Sequence, residues 1–397
     1  MKIFEPVNIA GIHLKNRIIR SATHEGLGDS DGFPDSRLKD IYLRLAKGGV
    51  GAVITGYAGV QRNAKTFINM RLLDKDDYIE AYQPILAAVK EYETPVILQL
   101  AHGGGMAYTQ AGLKTKAPSK FKNMMHGGIA EELTTGEIED IINSFVQAVE
   151  RAKKAGFDGV QLHAAHGYLL SEFLSPHINR REDQWGGTTE NRFRIIREII
   201  GRSREKVGNY PIWAKMSAYD DQKNGVTVSE AVKIAKLFQE AGCDAIEVSC
   251  GNGNEDFFST VRPSQMPITA MLAMMPRFKD ASNLKKKIAS MIIRRNFKVY
   301  DEIENYNVAA AAAIKASVSI PVIVVGGIRK LTTMEEIISS GKADCVSMCR
   351  PFILEPDLVK KMQSGKQEKS KCLNCNYCLV GVMSNPLKCY YGRLSNK

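Results

Sequence analysis

The sequence predicts an α/β protein, a (β/α)₈ TIM barrel with a short cysteine-bearing tail, and three observations carry that expectation. Short apolar, β-branched runs recur, each followed by an amphipathic stretch of helical length. Several share one punctuation, a helix ending near Gly with Asp just before the next strand. Examples are Ala155-Gly156-Phe157-Asp158, Ala241-Gly242-Cys243-Asp244 and Gly341-Lys342-Ala343-Asp344, where glycine suits a left-handed helix cap. The runs are also nearly continuous in apolar residues, as strands of a parallel sheet covered on both faces must be.

In chain order the strands are expected at 18–24, 50–56, 95–102, 158–166, 211–218, 244–250, 321–327 and 344–350. Eight such units in roughly 350 residues fit a closed barrel better than a doubly wound sheet. A doubly wound sheet usually opens with a glycine fingerprint, and here the first strand runs into Ser21-Ala22-Thr23-His24. Gly103-Gly104-Gly105 reads as a turn after the third strand. Two connections are long, from His102 to about Gly136 and from Gly251 to about Asn307. Both leave carboxyl ends of strands, the face on which barrel enzymes build their sites. The barrel region is expected over 1–366, with 251–307 a long basic insertion after the sixth strand, and the tail over 367–397.

Composition narrows the class. The 397 residues are 44% apolar and 24% charged, the balance of a soluble globular enzyme, which excludes fibrous and disordered readings. No apolar run reaches the ~18 residues needed to cross a bilayer. Met1-Lys2-Ile3-Phe4-Glu5-Pro6 has no apolar leader core, so a cytoplasmic location is expected. The net charge of +11 invites a nucleic-acid reading, but +7 of it falls between Arg277 and Lys298, where eight Lys and Arg face Asp280 alone. A phosphate-tracking surface spreads its charge with aromatics between. One patch suggests instead a local anionic substrate, a reduced partner protein or a solvated helix face. No nucleic-acid or membrane partner is expected, and a homo-oligomer is allowed.

Polar residues at the strand ends should converge on one ligand. They are Ser21-Ala22-Thr23-His24, Gly56 with Tyr57, Gln99, His163 with His166 and Tyr168, Lys215, Gly326 with Gly327, and Cys349 with Arg350. Gly326-Gly327 opening a helix offers backbone N–H groups and a positive dipole end, a phosphate cradle at the usual strand 7–8 position. Arg350 adds a bidentate charged donor to it. His163 and His166 could ligate a metal, but a third ligand would have to be His24 or His102. Two imidazoles and a phenol leaving one strand into one turn are hard to explain as packing.

Ser21, Ala22, Thr23, Gln99, His163, His166, Tyr168, Gly326, Gly327 and Arg350 fall within a series of motifs. They are Asn16-Arg17-Ile18-Ile19-Arg20-Ser21-Ala22-Thr23, Gln99-Leu100-Ala101-His102, His163-Ala164-Ala165-His166-Gly167-Tyr168-Leu169-Leu170, and Asn179-Arg180-Arg181-Glu182-Asp183-Gln184-Trp185-Gly186-Gly187 with Glu190-Asn191-Arg192. Pro321-Val322-Ile323-Val324-Val325-Gly326-Gly327 and Arg350-Pro351-Phe352 complete it. In that order they resemble the Old Yellow Enzyme family of FMN-dependent NADH:flavin oxidoreductases, and the likeness covers about residues 2–365. The resemblance implies an ene-reductase with FMN as cofactor and NAD(P)H as co-substrate in the same pocket. It implies that Gln99 holds the flavin pyrimidine edge, that Lys215 stabilises the reduced flavin near N1–C2, and that Thr23 and His24 lie near N5–O4 beside the backbone of Gly56 and Tyr57. It also implies that His163 and His166 donate to the carbonyl oxygen of an activated alkene, while Tyr168 delivers the proton opposite the flavin hydride. Two departures stand out. Cys349 precedes Arg350 where the family often has Gly, and the Gly251–Asn307 connection is longer than in compact members.

The tail carries Cys372-Leu373-Asn374-Cys375-Asn376-Tyr377-Cys378 and then Cys389. Two-residue gaps let thiolates face one centre, and four cysteines suit a [4Fe–4S] cluster or zinc, with an unmetallated tail the alternative. The 2,4-dienoyl-CoA reductase-like branch of the family carries a cluster after its barrel; this spacing is similar, with one residue fewer before the third and fourth cysteines. The earlier Cys243, Cys250, Cys345 and Cys349 sit in strand-like runs, where free cysteine is usually a small buried hydrophobe. Competing readings are an amine-demethylating flavoenzyme of the same family and a tRNA dihydrouridine synthase-like FMN barrel. The latter uses a cysteine acid where this chain has Tyr168.

Overall fold

The computed structural model describes the chain apart from residues 109–113, 124–127, 255–256, 263–266, 275–277, 279–280, 297–299, 301–303, 384 and 393–397. Eight parallel strands form the barrel: β1 (Ile18–Arg20), β2 (Ala52–Ile54), β3 (Val96–Ala101), β4 (Gly159–Ala164), β5 (Ile212–Ser217), β6 (Ala245–Ser249), β7 (Val322–Val325) and β8 (Cys345–Met348). Each pairs with the next, β8 pairs with β1, and β3 pairs with β4, so the sheet closes. Each strand lies inside its expected run. Gly156, Gly242 and Gly341 take φ of +93°, +89° and +72°, the left-handed turn expected of the Gly punctuation.

The helices are α1 (Arg37–Lys47), α2 (Tyr78–Lys90), α3 (Thr135–Ala155), α4 (Leu169–Leu174), α5 (Thr189–Val207), α6 (Val228–Glu240) and α7 (Ile268–Met274). They continue as α8 (Asn283–Asn296), α9 (Val308–Lys315), α10 (Leu331–Ser339), α11 (Arg350–Leu354), α12 (Leu358–Gln363) and α13 (Tyr377–Gly381). Helix α3 starts at a capping box in which Thr134 and Glu137 satisfy each other's backbone N–H groups. Among the described residues no helix is long and apolar enough to cross a membrane.

Alternation along the strands decides what fills the barrel. Ile19, Ala52, Ile97, Trp213, Ala245, Ile323 and Cys345 form its apolar lower interior, and the N-terminal hairpin of Val7–Ile9 and Ile12–Leu14 packs Ile9, Ile12 and Leu14 against it. Two residues further along the same strands come Ser21, Gln99, Lys215, Glu247 and Ser347, all buried. The change from apolar to polar is therefore a layer boundary.

The motif at 179–187 is a brace. Asn179 donates to the carbonyls of Phe173 and Trp185, and Arg181 to those of Pro118 and Leu133. Arg192 on α5 donates to those of Leu174 and Gly187. These bonds fasten the loop after β4 to its neighbours.

Candidate functional site

The buried polar layer is one hydrogen-bonded network. Gln99 donates to Gln161 (2.7 Å), and Gln161 to Glu247 (2.9 Å). Lys215 pairs with Glu247 at 3.1 Å and donates to Ser21 (2.9 Å), while Ser347 donates to the other Glu247 oxygen (2.7 Å). Burial alone would raise the Glu247 carboxyl, but Lys215 and the donors around it hold it below its ordinary value. Register explains the meeting, since Gln99 is level with Gln161, and Lys215 with both His163 and Glu247.

Above this floor lies a cavity of about 320 Å³. Ser21, Ala22, Thr23, His24, Tyr57, Gln99, His163, His166, Tyr168, Lys215, Gly326, Gly327, Cys349 and Arg350 all line it. His163 and His166 stand edge to face with centroids 5.2 Å apart, and Tyr168 is 4.6 Å from His163. The His163 Nδ1 accepts from the Ala165 N–H, which places its proton on Nε2 and makes that nitrogen a donor. The His166 Nε2 is 2.7 Å from the Ser249 hydroxyl, and His166 itself sits at φ +65°, a strained conformation for a non-glycine residue of the kind that collects at functional sites.

Burial, with His166 and Lys215 adding repulsion, pushes the His163 imidazole far below its usual range; burial and Lys215 bring His166 to about 3. Both are neutral at physiological pH. Burial raises the Tyr168 phenol, which stays protonated. It donates to Tyr57 (3.4 Å), whose hydroxyl is 3.0 Å from Thr66, a chain of three hydroxyls. His24 stacks on Tyr57 and Phe67 and meets Asn69 at 3.0 Å; burial lowers it to about 4.

Several placements differ from the sequence reading. Gly56 is not among the cavity-lining residues: its N–H donates to Glu25, and a Cβ there would meet that carboxylate at 2.0 Å. It supports the turn carrying Thr23 and His24, because Glu25 is a buried anion clamped by Arg20 and Arg71. Gly326-Gly327 does not open a helix, since α10 starts four residues later at Leu331. The two glycines form a turn at φ +145° and +68° instead. The Arg350 guanidinium faces the tail, donating to the Asn376 side chain (2.6 Å) and to the carbonyls of Asn374 (3.4 Å) and Arg262 (2.6 Å). Cys349 contacts the Thr23 hydroxyl. Arg277, Lys279, Asp280 and Lys298 of the basic patch lie outside the described residues.

Four residues that build or support the cavity escaped the sequence reading. Glu247 and Gln161 sit at inward positions of strands that are otherwise apolar, a signal that alternation could have supplied. Thr66 had none. Glu172 is wholly buried, accepts from Gly105 and Asn254, and is pushed far above the usual carboxyl range by burial. It explains the glycine run, because a Cβ on Gly104 would meet it at 2.3 Å.

The tail closes one side of the cavity. Lys330 bridges Lys369, Arg329 donates to the Cys372 carbonyl (2.8 Å), and the Leu387 N–H donates to the Glu25 backbone carbonyl (3.0 Å). Val382, Met383 and Leu387 join the lining. Asn374 and Asn376 take φ of +54° and +61°, turning the chain back between successive cysteines. Cys372, Cys375, Cys378 and Cys389 are free thiols that line a second cavity of about 240 Å³. Burial raises Cys372, and Cys378 to about 12. Among the described residues no three possible ligands stand close enough to hold a single ion.

Known proteins decide the family. Residues 2–256 and 251–369 match the model of the NADH:flavin oxidoreductase / NADH oxidase family. The chain belongs to that family. It is similar to an NADH oxidase of Thermoanaerobacter brockii, 35% identical over 96% of this chain and 53% of that one. It is also similar to an NADPH dehydrogenase of Geobacillus sp. (strain WCH70), 30% identical over 89% and 91%. The chain spans about half the length of the first two curated relatives it matches, at 53% each. In fold it resembles a 2-naphthoyl-CoA reductase in complex with 2-naphthoyl-CoA (TM-score 0.82, 23% identity, 98% of this chain and 56% of that one) and the Zymomonas mobilis old yellow enzyme homologue (TM-score 0.72, 24% identity, 98% and 100%). The former is longer than this chain, which covers just over half of it.

Proposed function

We propose that this member of the NADH:flavin oxidoreductase family reduces an activated C=C bond, in an α,β-unsaturated carbonyl, enoate or enoyl ester, with electrons from NAD(P)H. The observation that carries the reading is the set of two neutral imidazoles and a protonated phenol over one cavity whose floor is a buried Lys215–Glu247 pair.

The cavity suits FMN. Gln99 offers a carboxamide and Lys215 a buried cation, matching the amide edge and the charge of a reduced isoalloxazine. The open-backbone turn at Gly326-Gly327 suits a phosphate, and a Cβ on Gly326 would meet Asn307 at 2.7 Å. FMN bound there supplies hydride taken from NAD(P)H. The protein does the rest. His163 Nε2–H, with His166 beside it, donates to the substrate carbonyl oxygen and stabilises the enolate charge as it develops. Tyr168 gives its proton to the other alkene carbon, and Tyr57 and Thr66 supply a path for its return. Lys215 and the donors around Glu247 hold that carboxyl below its ordinary value, so an anion lies 3.1 Å from the Lys215 amine at the cavity floor.

The tail would hold an iron–sulfur cluster on Cys372, Cys375, Cys378 and Cys389. All four line one cavity, and about 240 Å³ is roomy for a lone tetrahedral zinc at Zn–S distances of about 2.3 Å.

Anaerobic stopped-flow tests the reading. The yellow protein is bleached by NADH or NADPH, then mixed with enones, enoates and enoyl-CoA esters. Reoxidation faster than the acceptor-free control supports the assignment. A protein that stays colourless after reconstitution with FMN sinks it.

A further inference from the structure

Helix α8 (Asn283–Asn296) turns its more apolar face to solvent. Leu284, Ile288, Met291 and Ile292 follow the spacing of a single helical stripe and are 68%, 45%, 56% and 55% exposed. The opposite side joins a small core with Ile268, Leu272, Tyr300 and Val380, yet it contributes only Ala289 and Ile293, beside buried Lys286 and Ser290. An amphipathic helix that is complete in itself turns its wide apolar stripe inward. This one is built to be covered.

Two further observations say by what. Lys285 and Lys287 border the stripe on either side, Arg295 lies at its carboxyl end, and all three are exposed. The helix contains no acidic residue. In addition, Leu379 and Val380, which share the α8 core, lie in α13 between Cys378 and Cys389. The stripe is thus one helix thickness, about 10 Å, from the cysteine segment that walls the main cavity.

We propose that this face of α8 docks a small acidic electron-carrier protein, which reduces the site from the side of the cysteine segment. Two electrons pass for each alkene reduced; the carrier is oxidised and the alkene takes them with two protons. A second copy of this chain fits poorly, because a two-fold contact would set Lys285, Lys287 and Arg295 against themselves. A lipid surface is disfavoured by the lack of any aromatic residue in α8. Electron-transfer encounters need only a small interface, and their charges act mainly on the encounter rate.

The electron route rests on the flavin reading above, whereas docking is measured apart from it. A fluorescently labelled acidic flavodoxin and an acidic plant-type ferredoxin are titrated with the full chain at low and physiological salt, read by anisotropy. Binding should weaken roughly tenfold as salt rises. Charge reversal (Lys285→Glu, Lys287→Glu, Arg295→Glu together) and stripe removal (Ile288→Ser with Ile292→Ser) should each lower affinity roughly tenfold. Both variants should keep wild-type NAD(P)H-driven turnover. The proposal is overturned if neither carrier binds at low salt, or if neither variant weakens binding. It is equally overturned if the variants alter self-association on sizing, or binding to phosphatidylserine vesicles, in place of carrier binding. A colourless protein that still docks would refute the flavin reading alone, and a yellow one that does not dock would refute this proposal alone.

Discussion

Replacing Glu247 with Gln removes one charge from the cavity floor and almost nothing else. The amide keeps the carboxylate's shape: its one oxygen can still accept from Gln161, and its NH2 group can donate to the Ser347 hydroxyl, which accepts as readily as it donates. What it loses is the ion pair with Lys215, at 3.1 Å between side chains 4% and 0% exposed. At an effective dielectric near 20 the gross attraction is about 5 kcal/mol, and taking away one partner of such a buried pair costs about 3–5 kcal/mol because the other charge stays behind. Glu247→Gln should therefore lower unfolding stability by about 3–5 kcal/mol. Lys215→Met with Glu247→Leu should lose less than the two single changes added together, by about 2 kcal/mol or more. Urea unfolding followed by tryptophan fluorescence reads this directly, since both tryptophans, Trp185 and Trp213, are buried, and Trp213 lies in the layer just beneath. A loss under about 1 kcal/mol for Glu247→Gln, or strict additivity in the pair, would show that the charges are solvated and that the floor does not hold Lys215 as described.

Other outcomes follow from the same geometry. Tyr168→Phe should slow reoxidation by an enone about 10²–10⁴-fold while bleaching by NAD(P)H stays nearly intact; equal losses in both halves would contradict the acid role. Gly326→Ala should weaken FMN retention by about 1–3 kcal/mol, because its φ of +145° and the Asn307 contact at 2.7 Å both resist a side chain; unchanged FMN affinity by fluorescence titration would dismiss the turn as a cradle. Buried His24, His102 and His166 have folded values of about 4, 3 and 3. Since these lie below the unfolded value near 6.5, the unfolded chain takes up protons the folded one refuses, and stability should fall as pH drops from 6.5 to 5 by about 2 kcal/mol for each. A urea midpoint that is flat over that range would refute the neutral assignments. Cys372→Ser should abolish iron and sulfide binding in protein kept free of oxygen, and retention of both at wild-type levels would remove this thiol from the ligand set.

Sequence alone determined the architecture and the residue types of the site. Strand runs separated by Gly and Asp punctuation specify eight β-α units, because helix caps and doubly covered strands are local consequences of residue type. The same positions bring His163, His166, Tyr168, Gln99 and Lys215 to one end of the barrel, since every parallel strand delivers its carboxyl end there. Only the tertiary structure decided how those groups are paired. Glu247 and Gln161 become a network with Lys215 and Gln99 through inter-strand register, which no local pattern encodes. Gly56 leaves the cavity because Glu25 claims its N–H, and Arg350 turns to the tail because Asn374 and Asn376 bring acceptors within its reach. The exposed stripe of α8 is likewise a fact of packing, since its spacing alone would have placed Leu284, Ile288, Met291 and Ile292 in a core. Residue type settles locally which groups are present; only the closed chain settles which of them meet.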